Sequence, residues 1–152
     1  MLRLSKKADY ALMAVKHLAQ REGSSSAREI AEQYDIPIEL LAKVLQRLVR
    51  KGLLASQQGT RGGYQLARPT ESMSVADVIQ AIDGPLTVTA CSDNLGRCGQ
   101  FSKCNVRDPL WRIRERIVAA LATCTIAEMV AESAPPGPVG AARVAVWPGA
   151  RS

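Results

Sequence analysis

Aromatic side chains are scarce in this 152-residue chain, at 4% with a single Phe. The core therefore has to be assembled from Leu, Ile, Val and Ala. No apolar run reaches the roughly 20 residues that a membrane-spanning helix needs. The charge-free stretch in the apolar part, Ile117 to Ala127, is short and contains threonines. The opening, MLRLSKKADYAL, has no apolar run ending in a small-residue cleavage site. No signal peptide is visible in it, and the expected compartment is the cytoplasm. Histidine occurs once, at His17, and cysteine four times. What is present is aliphatic: 47% hydrophobic residues against 22% charged exclude a disordered chain. The length suits one domain, or a small domain with an appendage.

Charge is unevenly placed. Residues 1–70 hold 12 Lys+Arg against 6 Asp+Glu, whereas residues 71–152 hold 8 of each, so the whole +6 sits in the first half. A basic half joined to a neutral half suggests a polyanion-binding module attached to something else. A solvated surface would carry the same numbers, so the order of elements has to decide.

Ser5 to Arg21 reads as an amphipathic helix with Leu4, Ala8, Ala11, Val15 and Leu18 on one stripe. After Gly23-Ser24-Ser25, the run Ser26-Ala27-Arg28-Glu29 has the capping-box pattern and opens a short helix through Tyr34. Asp35-Ile36-Pro37 makes a tight turn, with the proline where a new helix starts. From Ile38 to Lys51 the apolar stripe is Ile38, Leu41, Val44, Leu45 and Leu48, and the opposite face carries Glu39, Lys43, Gln46, Arg47 and Arg50. Gly52 ends it. Two strand-like runs, Leu53 to Gln57 and Tyr64 to Ala67, flank the glycine-rich tip Gln58-Gly59-Thr60-Arg61-Gly62-Gly63. Ser74 to Ile82 forms one more short helix.

Three helices with a short turn before the third, then a hairpin, is the order of a winged helix-turn-helix. The expected fold is mainly α with a small β-hairpin wing and a long C-terminal dimerisation helix. The major groove accepts a helix whose outward face is polar and net basic, as the one from Ile38 is. A tip bearing Arg61 among glycines suits the adjacent minor groove. The expected DNA-contacting residues are Ser26, Arg28, Glu39, Lys43, Gln46, Arg47, Arg50, Thr60 and Arg61. Residues 1–84 form the DNA-binding region in this reading.

Residues 85–105 show no sustained period and contain Cys91, Cys98 and Cys104, spaced C-x6-C-x5-C. A structureless stretch of this length within a compact domain points to function. A disulfide framework does not suit a cytoplasmic chain. Structural zinc is possible but usually shows closer C-x2-4-C pairs. Three separated thiolates can instead wrap an iron–sulfur cluster and leave one position for another group. Arg107 follows the third cysteine where a histidine could have served, and a guanidinium cannot ligate iron. Asp9, opposite the apolar stripe of the first helix and one turn before Met13, is a candidate, although a carboxylate near a helix N-terminus is also simply favourable there.

Asp108-Pro109 reads as an N-cap followed by proline at the first helical position. Leu110, Ile113, Ile117, Ala120 and Cys124 then form a seam suited to pairing with an identical helix. Residues 106–132 thus give a dimerisation helix and a short C-terminal helix. Cys124 continues the seam and reads as a packed side chain. Residues 133–152 hold four prolines, three glycines and no acidic residue, and read as a disordered tail.

The opening Leu2-Arg3-Leu4-Ser5 with Ala8-Asp9-Tyr10-Ala11-Leu12, the hairpin Gly59-Thr60-Arg61-Gly62-Gly63-Tyr64-Gln65-Leu66-Ala67-Arg68 and the helix Ser74-Val75-Ala76-Asp77-Val78-Ile79 resemble the IscR/NsrR family of bacterial winged-helix regulators. That family senses iron–sulfur status or nitric oxide. The resemblance covers about residues 1–132 and is nearest to regulators of the SUF cluster-assembly system. It implies a homodimer on a palindromic operator of double-stranded DNA, with one cluster per subunit. The family cysteines carry over to Cys91, Cys98 and Cys104. In the IscR branch a histidine stands at the place of Arg107 and completes a 2Fe–2S site. In the NsrR branch a partner-subunit aspartate at the place of Asp9 completes a 4Fe–4S site, which favours 4Fe–4S here. The first cysteine gap is one residue longer than the usual C-x5-C. The implied function is a transcriptional regulator, not an enzyme, that senses cluster status and controls cluster-assembly genes. A nitric-oxide-sensing repressor and a zinc-stabilised DNA-binding protein are the alternatives.

Overall fold

The computed structural model describes residues 3–60, 62–87 and 98–132. Helix α1, Lys6–Ala19, begins at Ser5, whose Oγ accepts the Ala8 N–H at 3.0 Å. Its buried face is Ala8, Ala11, Ala14, Val15, His17 and Leu18. Leu4 precedes the first turn and is exposed, so it does not join the stripe expected of it. Helix α2, Ala27–Tyr34, has a complete capping box: Glu29 N–H donates to Ser26 Oγ at 3.1 Å, and Ser26 N–H donates to the Glu29 carboxylate at 2.8 Å. Asp35 ends it in the left-handed conformation, φ 52°. Helix α3, Ile38–Arg50, follows Pro37, which stands just outside the first turn and costs the helix no hydrogen bond. Ile38, expected on the apolar stripe, is exposed at the helix start, and Leu41, Val44, Leu45 and Leu48 carry the burial.

Strands β1, Leu54–Gln57, and β2, Gly63–Leu66, pair antiparallel with Leu54 opposite Leu66 and Gln57 opposite Gly63. Helix α4, Val75–Asp83, opens with a second capping box, between Ser74 and Asp77. Its residues Val75, Ala76, Val78, Ile79, Ala81 and Ile82 are buried.

Helix α5, Arg107–Thr123, starts at Arg107 itself rather than after an Asp108 cap. Arg107 donates to the Phe101 carbonyl at 3.2 Å and stacks over the Phe101 ring at 4.6 Å, which draws it into the first turn. Pro109 then falls at the third helical position, where its missing N–H is one of the unpaired ones anyway. None of the α5 residues is buried. Leu110, Ile117, Val118 and Leu121 are half-buried, while Val106, Trp111 and Ile113 stay exposed. Helix α6, Ile126–Ala131, is capped by Thr125 and Glu128. It returns to the head: Ile126 N–H donates to Met73 O at 2.8 Å, Val75 N–H donates to Cys124 O at 2.9 Å, and Ile126 is fully buried.

The largest fully buried side chains are Ile30, Leu41, Leu45, Leu48, Met73, Ile79 and Ile126, and no aromatic is among them. Burying each such aliphatic contributes about 1.5–3 kcal/mol. One hydrophobic cluster joins α1, α2, α3, α4 and α6. No described helix is long and apolar enough to cross a membrane.

Candidate DNA interface and cysteine segment

Helix α3 has two unlike sides because its apolar residues recur at steps of three and four. With Leu41, Val44, Leu45 and Leu48 inward, the row Glu39, Lys43, Gln46 and Arg50 points directly outward. All four are exposed, and no side chain of the four has a hydrogen bond or ion pair among the described residues. A helix presenting such a row can place it against base edges and phosphates.

Arg47 differs from the other four residues expected on that face. It sits at the flank, and its Nε donates to the Ala81 carbonyl of α4 at 2.8 Å. The reason lies four residues beyond Ala81. A helical carbonyl normally accepts from the N–H at i+4, but that residue is Pro85, which has none. Arg47 replaces the missing donor. Leaving a carbonyl of buried Ala81 unpaired would cost about 1–3 kcal/mol.

Ser26 and Arg28 lie at the start of α2. Ser26 spends its hydroxyl on the capping box, and Arg28 is exposed. The wing is fastened to the turn between α1 and α2. Ser25 N–H donates to Tyr64 O at 3.0 Å, and Tyr64 N–H donates to Ser25 O at 2.8 Å. Gly63 permits this approach, since a Cβ there would lie 2.6 Å from Ser25 O. Thr60 is exposed near the tip, and Arg61 lies outside the described residues.

Behind the wing sits a polar group that sequence reasoning missed. His17 is buried, with Nδ1 2.9 Å from the Tyr34 hydroxyl and Nε2 3.4 Å from Ser25 Oγ. Its ring meets that of Tyr34 edge-on, with centroids 5.5 Å apart. Burial lowers the His17 pKa from the ordinary 6.5, nearby Arg21 lowers it further, and Glu29 partly opposes them. The neutral ring thus ties α1 to α2 and to the turn that holds the wing. A lone histidine on an apolar helix face was the available signal.

In the cysteine segment, Cys98 is exposed, Cys104 is half-buried, and both thiols are free. Between them Phe101–Lys103 forms one 3-10 turn, with Phe101 N–H donating to Cys98 O at 3.0 Å. Cys91 lies outside the described residues, as does the segment 133–152. Among the described residues no three His, Cys, Asp or Glu side chains converge as a metal site would require. Arg107 is engaged with Phe101 and with Asp108, whose pKa its hydrogen bond and charge lower. Asp9 is half-buried on the outward side of α1, and its carboxylate has no hydrogen bond or ion pair among the described residues. Cys124 caps the end of α5; burial and the charges of Glu128 and Glu132 raise its pKa, which keeps it a thiol.

Comparison with known proteins places this architecture. Residues 4–132 match the Rrf2 family, described as iron-dependent transcriptional regulators. The chain is a member of the Rrf2 family. It is 34% identical over 132 residues to the HTH-type transcriptional regulator IscR of Serratia proteamaculans, covering 85% of this chain and 79% of that one. Among solved structures, T. potens IscR is similar at a TM-score of 0.69 and 28% identity, covering 88% of this chain and 89% of that one. CymR, described as the global cysteine regulator of B. subtilis, shares the fold at a TM-score of 0.73 and 24% identity, covering 88% of this chain and 100% of that one. The expected winged-helix fold is borne out, and this Rrf2 chain is a DNA-binding transcriptional regulator rather than an enzyme.

Proposed function

We propose that this Rrf2 chain is a homodimeric cytoplasmic regulator that reads a palindromic operator and adjusts its affinity to iron–sulfur cluster status, controlling cluster-assembly genes. The observation that carries this reading is a pair of unpaired thiols, Cys98 and Cys104, on the segment that leads out of a head whose α3 leaves Glu39, Lys43, Gln46 and Arg50 free. The donor chemistry fits a cluster: soft thiolates from Cys91, Cys98 and Cys104, and an uncommitted carboxylate, Asp9, offered to the partner subunit. An oxygen donor binds iron more weakly than thiolate, and a displaceable ligand suits a sensor. The cluster, in 4Fe–4S form, would supply iron reactive toward oxidants and nitric oxide.

The chain's own residues do the rest. Lys43 and Arg50 neutralise phosphates while Glu39 and Gln46 face base edges. Ser26 fixes the start of α2, and Arg28, Thr60 and Arg61 extend the footprint on either side. The exposed Val106 and Ile113 on and beside α5 meet the same helix of a second copy. Asp9 lies on α1, a core helix that also holds the wing through His17, so engaging its carboxylate constrains the head that reads DNA. Linkage of this kind typically amounts to about 1–3 kcal/mol.

The test compares wild type, Asp9→Ala and Asp9→Cys purified without oxygen. The expected result is a labile or smaller cluster in Asp9→Ala and a retained one in Asp9→Cys, with fold and dimer intact in both. An equally durable cluster in Asp9→Ala removes the ligand role.

A further inference from the structure

The six residues from Ala81 to Leu86 hold three other elements of the molecule. Ala81 O accepts Arg47 Nε from α3 at 2.8 Å. The Asp83 carboxylate accepts the Ser5 hydroxyl at 2.6 Å and the Ser5 N–H at 3.3 Å, and Ser5 caps the helix that bears Asp9. Leu86 O accepts Arg114 Nε from α5 at 2.9 Å. The same stretch runs on toward Cys91, five positions past Leu86.

Ala81 and Ile82 are anchored in the core, and clefts open beside the residues that follow them. Gly84 N–H closes the helix on Gln80 O at 2.9 Å, and Pro85 then leaves the Ala81 carbonyl to Arg47. A cleft of ≈ 400 Å³ between α4 and α5 borders Asp83, Gly84, Pro85 and Leu86 on one side. A second, of ≈ 360 Å³, borders Ala81, Gly84 and Pro85 beside Lys51 and Arg68. Ala81 and Ile82, in the last turn of α4, are seated in the core and Leu86 packs against it, whereas Asp83 and Pro85 are exposed, so a displacement of this stretch is passed to the partners it holds by hydrogen bonds. Ala81 itself is buried in the head, and the Arg47 guanidinium gives the side-chain hydrogen bond that joins it to α3, beside the apolar packing of the two helices.

We propose that the Ala81–Leu86 turn is the joint through which the cysteine segment and α5 set the placement of α3, with Arg47 as the positioning residue on the reading side. Arg47 acts through the Ala81 carbonyl, and Arg114 is its counterpart on α5. The proposal rests on the DNA-reading part of the function above and is independent of which metal the cysteines hold. By reciprocity, DNA bound at α3 must be felt at the turn and at α5.

The experiment is amide hydrogen exchange of the full chain with and without a saturating duplex, the duplex being recovered from a randomised pool by the wild-type protein. Saturation separates coupling from affinity. In wild type, DNA should slow exchange over α3, over 81–86 and over α5, with the distant effect within the roughly 5–150-fold range of coupled sites. In Arg47→Met, slowing at α3 should persist while that at 81–86 and α5 disappears. In Arg114→Met, slowing should reach 81–86 and stop there; this variant alters an α5 residue that is not buried and decides the matter if Arg47→Met fails to fold. Wild-type spread in either variant overturns the joint, as does slowing confined to α3 in the wild type. Two copies merely brought together on DNA would protect α5 equally in all three proteins, which also overturns it. Absence of slowing at α3 in the wild type instead overturns the DNA-reading assignment beneath it.

Discussion

Replacing Gly63 by alanine tests how the wing is held against the head. The added Cβ would lie 2.6 Å from Ser25 O, 2.7 Å from Ser25 C and 3.0 Å from Ser26 N. All three are backbone atoms, so no side chain can swing aside, and the strand must retreat by several tenths of an ångström. The two Ser25–Tyr64 hydrogen bonds, at 2.8 and 3.0 Å, cross the same gap. Overpacking of this kind costs about 1–3 kcal/mol, and each weakened hydrogen bond about 1 kcal/mol at most. A reduction of about 2–3 kcal/mol in stability follows, or a fall in Tm of roughly 4–12 °C for a chain of this size. Operator affinity should fall as well, because the wing no longer sits beside α3. Thermal unfolding by circular dichroism and a fluorescence-anisotropy titration at fixed salt measure the two effects. Gly23→Ala is the control: its φ of +85° carries strain, but nothing lies within 4 Å of the new Cβ. It should cost about 1 kcal/mol and leave DNA binding unchanged. Wild-type melting and affinity in Gly63→Ala would refute the reasoning.

Three further outcomes are expected. In a salt titration, Lys43→Ala and Arg50→Ala should each weaken binding to specific and scrambled duplexes alike and lower the salt slope by about 1, as loss of a phosphate partner does, whereas Gln46→Ala should erode discrimination between the two duplexes by about 1–3 kcal/mol. Stability should be full above pH 6.5 and decline as pH falls from there toward the depressed folded-state value of His17, because the unfolded chain takes up the proton first. Urea midpoints at about pH 7.5 and about pH 5.5 should show that slope in wild type and a shallower one in His17→Gln. Ile126→Ala should destabilise the DNA-binding head itself by about 2–5 kcal/mol, since α6 packs into that core; an unchanged denaturation midpoint would contradict that packing.

Much of the head was legible because its signals are local. Ser26 and Ser74 each stand three residues before an acidic partner, and both capping boxes form. The α3 stripe separated the inward and outward faces directly, and the glycines marked the hairpin. What escaped was non-local. Arg47 looked like its neighbours on the outward face, and only the proline at position 85 hints that a carbonyl elsewhere needs its donor. The partners of His17 come from α2 and from the turn before it, and one-dimensional spacing does not reveal them. The start of α5 was misplaced because Arg107 is drawn back by Phe101, six residues earlier. The seam on α5 was only partly separable, since Leu110 and Ile117 are half-buried while Ile113 is exposed.

The central claim is that the cysteine segment binds an iron–sulfur cluster. Anaerobic purification of the full chain, followed by iron, sulfide and zinc analysis and a visible spectrum, tests it most directly. The account predicts a brown protein with iron and acid-labile sulfide in the ratio of a cluster, absent when Cys91, Cys98 and Cys104 are replaced by alanine and kept in Cys124→Ala. A colourless protein carrying zinc, or iron content indifferent to those three cysteines, would contradict it.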